Sequence, residues 1–115
     1  MTEPIEVLVN LRLSSLQNMR YHWSVRARAA KLHRETTQWA LKKEALMVGT
    51  TGPLKITITR IAPRTLDTDN LAISAKFVRD GVADWLRRND GDPLIDWQYR
   101  QEKANYYAAR IRIEA

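Results

Sequence analysis

The chain has 115 residues, 44% of them hydrophobic, with four Trp, a formal net charge of +6 and an isoelectric point near 10.0. That suffices for one core in one domain, residues 1–115; with only four Gly, four Pro and no low-complexity tract, it excludes a disordered or fibrous protein. Cysteine is absent, which excludes disulfides and thiolate metal sites. No apolar run approaches the ~20 residues of a membrane span, and Met1–Leu13 lacks the basic-then-apolar order of a signal peptide. The expectation is a cytoplasmic protein with no membrane contact.

Ile5, Val7, Val9, Leu11 and Leu13 alternate with polar positions, so period two predicts a strand over 5–13. Residues 14–23 (SSLQNMRYHW) break the pattern and read as a loop. From Ser24, a candidate cap, the spacing turns helical, with Val25, Ala29, Leu32, Thr36, Trp39 and Leu46 on one face. Lys31, Arg34, Gln38 and Lys42 mark the opposite face. Residues 49–53 (GTTGP) form a turn, and Leu54, Ile56 and Ile58 alternate into a second strand.

Leu71, Ala75, Val78, Val82 and Trp85 or Leu86 define a second amphipathic helix, stopped by RRNDGDP at 87–93. Ile95, Trp97 and Tyr99 open a third strand, and Tyr107, Ala109, Ile111 and Ile113 a fourth. Residues 102–105 (EKAN) are expected to join them as a hairpin. The order β-α-β-α-β-β predicts an α+β domain, two helices packed on a mixed sheet.

The charge is unevenly spread. Residues 1–66 carry 11 Lys/Arg against four Glu, whereas 67–96 hold all seven Asp against four Lys/Arg. Between 12 and 43 stand Arg12, Arg20, Arg26, Arg28, Lys31, Arg34, Lys42 and Lys43 against Glu35 alone. Such a basic body suits a polyphosphate partner or is simply a solvated surface. Arg64 stands just ahead of the aspartates. Arg20, Tyr21, His22 and Trp23 are candidates for stacking on unpaired bases, although a Trp such as Trp23 is more often core than platform.

Asp67 and Asp69 stand two apart before the second helix. Side by side, two carboxylates repel unless protons or a cation join them, and hard cations such as Mg²⁺ take carboxylate oxygens. The same residues read as turn and helix cap. Asp69, Ile73, Lys76 and Asp80 follow one another at steps of four, three and four on the face opposite the apolar stripe. There Lys76 either neutralises carboxylate or phosphate charge, or pairs with Asp80 one turn on. Asp90 and Asp92 sit in the turn after the helix, as ligands or turn formers.

The block DTDNLAISAKFVRDGVADWL…NDGDP, from Asp67 to Pro93, resembles the RusA family of Holliday junction resolvases, common in phages and prophages. That family carries Asp-x-Asp-Asn-Leu leading into a helix with a lysine and a later aspartate, then an Asp-Asp pair. The resemblance implies a homodimeric, Mg²⁺-dependent endonuclease that resolves four-way DNA junctions by paired nicks. Asp67, Asp69 and Asp90 would be metal ligands and catalytic carboxylates, Lys76 the lysine near the scissile phosphate, and Asp92 the alternative third ligand. Arg20, Arg26, Arg28, Lys31, Arg34 and Arg64 would contact DNA. Asn89 departs from the family's first Asp of the pair. Ile73 fills the slot where the family's lysine stands, and Lys76 follows three residues later. Two other classes compete: a non-catalytic nucleic-acid-binding protein of the same fold, and a different metal-dependent phosphohydrolase. The second lacks a glycine-rich phosphate loop.

Overall fold

A computed structural model describes residues 4–14, 23–44 and 51–115. Within them the chain runs β1 (Ile5–Val9), α1 (Trp23–Lys42), β2 (Leu54–Ala62), α2 (Thr68–Ser74), α3 (Lys76–Leu86), β3 (Ile95–Lys103) and β4 (Ala108–Glu114). The four strands form one mixed sheet, ordered β1-β4-β2-β3. Helices cover one face, giving an α+β domain. The helices expected from the sequence number two; the second is divided into α2 and α3. No described helix is long and apolar enough to cross a membrane.

Alternation sets the sheet's two faces. Ile56 and Ile58 of β2, Ile111 and Ile113 of β4, and Ile5 and Val9 of β1 are buried and pair in register, Ile56 with Ile113 and Ile58 with Ile111. The other face is polar. It carries Thr57, Thr59, Gln98 and Arg112, the last paired with Glu6 and Glu114. β1 ends at Val9, short of the nine residues expected, because the Leu11 N–H turns back to the Val9 carbonyl at 3.0 Å. Leu11 and Leu13 are nonetheless buried, so the alternation marked core positions beyond the ladder.

The hairpin expected between the last two strands is not formed. β3 lies parallel to β2, and β4 lies antiparallel along the opposite edge of β2. The connection passes the end of β2, where the Ala104 N–H bonds the Ala62 carbonyl at 3.1 Å. Turn chemistry at 102–105 is the same for a hairpin and for this crossing, so the local sequence did not separate them.

The helix expected over 71–86 breaks at Ala75. Its N–H bonds Ala72 three residues back at 3.2 Å, a single tight turn between α2 and α3. The apolar stripe survives the break, with Leu71, Ala75, Val78, Val82 and Leu86 all buried. α3 closes with Arg87 in the left-handed region (φ 58°), the Arg88 N–H reaching the Ala83 carbonyl at 3.0 Å. A non-glycine residue there costs about 1 kcal/mol.

α1 begins at Trp23, so Ser24 lies inside its first turn rather than capping it. Its orientation differs from expectation. The side facing the protein is His33, Thr37 and Leu41, whereas Val25, Leu32 and Trp39 are 38%, 58% and 68% exposed. The helix is turned by roughly one residue, ~100°. The cause is α3: at Gly81 the two helices approach so closely that a Cβ would lie 3.1 Å from the Arg34 Cα, the Arg34 carbonyl and the Thr37 Cβ. At that point α1 presents only its backbone at Arg34 and the small side chain of Thr37. Leu46 lies outside the described residues.

Two outcomes are expected. Gly81→Val forces α1 and α3 apart and lowers stability by about 1–3 kcal/mol, read as a shift in urea midpoint. His33 is buried against Phe77, ring centroids 6.3 Å apart, and burial holds its pKa below 6.5. The unfolded chain therefore takes the proton first, and the contribution is full above pH 6.5 and lost as pH falls through the lower folded value. Urea unfolding of His33→Gln is expected to show a shallower loss of stability over that window than the parent chain.

Candidate active site and nucleic-acid surface

The segment between β2 and α2 is held from below. Arg60, buried at the end of β2, donates Nε to the Leu13 carbonyl at 2.7 Å and Nη1 to the Arg64 carbonyl at 2.6 Å. Gln101 of β3 pairs with Leu66 twice, accepting its N–H at 2.9 Å and donating to its carbonyl at 2.8 Å. These bonds present Asp67 and Asp69 at the start of α2 on a fixed backbone.

Asp67 is the N-cap of α2. One oxygen accepts the Asn70 N–H at 2.8 Å and the other the Asn70 side-chain amide at 3.1 Å. Asp69, not Asp67, was the expected cap; instead it lies exposed in the first turn, with no hydrogen-bond or ion-pair partner among the described residues. A carboxylate offers about four lone-pair positions, so the capped Asp67 keeps capacity beside a free Asp69.

Lys76 and Asp90 face the same cleft. With Ala72, Ile73, Arg79 and Tyr99 they line one open cleft along the flank of α2 and α3. Asp90 is held through its backbone. Its carbonyl accepts Arg79 Nη2 at 2.7 Å and Trp97 Nε1 at 3.0 Å, while Arg79 Nε stands 3.6 Å from its carboxylate. Arg79 also donates to the Tyr99 hydroxyl at 2.9 Å and lies 4.7 Å over the Trp97 ring. This Arg79–Trp97–Tyr99 bracket was missed in the sequence, where Arg79 is one cation among many and the aromatics read as strand core.

Asp92 is occupied. It accepts the Leu94 N–H at 2.9 Å and Arg88 Nε at 3.1 Å, and the Leu94 bond leads in holding its pKa low. Of the two loop aspartates, Asp90 is the one with a carboxylate open to solvent, its side chain half exposed.

Asp67 and Asp69 follow the end of β2, whereas Asp90 precedes the start of β3, which runs parallel to it. Asp67 and Asp69 do not line the cleft of Lys76 and Asp90. No group of three or more His, Asp or Glu side chains is gathered for a metal among the described residues. The donors are still of the kind Mg²⁺ takes, and that ion is usually held by one or two carboxylates with water and substrate phosphate completing its shell.

Asp80 faces a second hollow, with Arg34, Asp84, Arg88, Asn89 and Asp90. Burial, then the charge of Asp90, raises its pKa above 3.8, against the opposing pull of Lys76. Lys76 makes no ion pair with Asp80 among the described residues; its ammonium lies 5.9 Å from the Phe77 ring. Arg34, expected on DNA, is engaged by Asp84 at 2.6 Å. Arg26, Arg28, Lys31 and Arg64 are exposed and unpaired among the described residues. Arg20, Tyr21 and His22 lie outside them.

No known family's model matches the chain, and no curated protein matches it.

A raised carboxyl pKa contributes stability below 3.8 that is lost as pH rises through the folded value. Asp80→Asn is therefore expected to raise the thermal midpoint at pH 7 and leave it unchanged below pH 3.8, by calorimetry at both values.

Proposed function

We propose that the protein is a Mg²⁺-dependent endonuclease of branched DNA, acting as a homodimer in the manner of the RusA resolvases. The observation that carries this reading is a free carboxylate, Asp69, beside Asp67 on a clamped segment, with Lys76 and Asp90 sharing a cleft along the same helix pair. It joins the Asp-x-Asp-Asn-Leu signature and the basic α1. Asp67 and Asp69 would hold the ion; Asp90, in the separate cleft of Lys76, is not gathered with them and would act on the substrate side of the site. When bound, the ion supplies an activated water and offsets charge on the phosphate.

The chain's own residues do the rest. Lys76 offers a cation to a phosphate entering the cleft. Arg79 and Trp97 hold the backbone of Asp90 in one place. Arg60 fixes the carbonyl of Arg64, whose exposed side chain serves the backbone of the bound strand. Arg26, Arg28 and Lys31 contribute phosphate contacts, so affinity falls steeply with salt. A homodimer would bring two such sites to opposed strands of a four-way junction.

The capping bonds of Asp67 favour a second reading, a nucleic-acid-binding protein of this fold without catalysis. One assay separates the two: a labelled synthetic four-way junction and matched duplex, with and without Mg²⁺, for the parent chain and Asp69→Asn. Asp69 bears no contact the fold needs, so its variant should fold normally. Paired Mg²⁺-dependent nicks, reduced at least ~100-fold in Asp69→Asn, are expected. Junction binding without nicks in Mg²⁺ or Mn²⁺ would establish the second reading.

A further inference from the structure

The exposed Trp39 is not isolated. It forms one wall of a groove of about 460 Å³ between α1 and α3, lined also by Trp85, Lys42, Arg87, Gln38, Glu35 and Asp84. Lys42 Nζ stands 5.6 Å from the Trp39 ring centroid. Neither Lys42 nor Arg87 is ion-paired among the described residues. Asp84 is already neutralised by Arg34, which leaves Glu35 the unpaired acid of the groove. Arg87 is the single described non-glycine residue at positive φ, and the left-handed cap sets it at this groove.

We propose that this groove holds an unpaired nucleotide of the DNA, its base stacked on Trp39 and its phosphate beside Lys42 and Arg87. The inference deepens the branched-DNA reading and rests on its nucleic-acid part. Every base has a π-face, and single-stranded sites combine a cationic track with aromatic platforms. Glu35 adds an unpaired acceptor to the lining, while the Gln38 amide is turned to the Asp84 carboxylate at 3.4 Å. Charge argues against a second copy of the chain as the occupant. Four cations of α1 without an acidic partner among the described residues, Arg26, Arg28, Lys31 and Lys42, stand against Glu35 alone, so two such helices laid together would repel.

The test uses full-length protein in EDTA, so that no cleavage intervenes. Fluorescein-labelled oligothymidylate of roughly ten nucleotides, an abasic oligomer of equal length and a blunt duplex are titrated by anisotropy. Trp39→Ala is expected to weaken oligothymidylate at least ~5-fold, the low end of one stacked base, and to leave abasic oligomer and duplex within about 2-fold. Lys42→Glu should weaken all three, as a phosphate contact does. Circular dichroism checks that both variants fold, and sedimentation reads the oligomeric state. Unchanged oligothymidylate affinity in Trp39→Ala overturns the proposal, as does an equal loss on the abasic oligomer. Conversion of a dimer to a monomer by Trp39→Ala would reassign the groove to self-association. The junction assay with Asp69→Asn is independent, so loss of the nuclease reading and loss of this site are told apart.

Discussion

The constraint on which the structure depends is the double pairing of β2. It bonds β4 along one edge and β3 along the other, and its inward Ile56 and Ile58 are at the centre of the core. Because β3 is parallel to it, the chain must return the full length of the strand before pairing, and a helical crossover is the usual solution. α2 and α3 are that crossover. Their apolar stripe exists because one side of the return path lies on the sheet. The aspartates are distributed by the same route: Asp67 and Asp69 where the chain leaves β2, Asp90 where it comes back to β3.

The second constraint is the contact of α1 with α3. Gly81 lets the backbones approach, and what α1 contributes there is His33, Thr37 and the main chain at Arg34. Close packing at Gly81 therefore takes Thr37 and the bare backbone of the helix. The larger apolar side chains, Leu32 and Trp39, are left outward. The interface formed is tight and carries a buried imidazole, which makes it sensitive to protons.

Much of this was legible from residues alone. The alternation of β2 and β4 and the stripe from Leu71 to Leu86 mark buried positions correctly, because both depend on local periodicity. The face of α1 was not legible, since Gly81 lies forty-odd residues away and selects for size rather than apolarity. The partner of β3 was not legible either, because strand pairing is a long-range choice. At the candidate site, the Asp-x-Asp motif was visible in both its meanings. The structure assigns the cap to Asp67 and leaves Asp69 free, the reverse of the local expectation. The bracket around Asp90 needed three residues from two elements, a juxtaposition that no spacing rule reports.

β4 is the last of the described strands, yet it lies inside the sheet, between β1 and β2. Ile5 pairs with Ile113, so β1 has no partner until more than a hundred further residues have been made. During synthesis, β1 waits unpaired for about a hundred residues and one edge of β2 for more than forty, with α1 unable to close over a finished sheet. Folding is thus weighted towards late, sequence-distant contacts, which slows it relative to helical domains of the same size. In that interval the nascent chain exposes strand edges of the kind that recruit chaperones or aggregate.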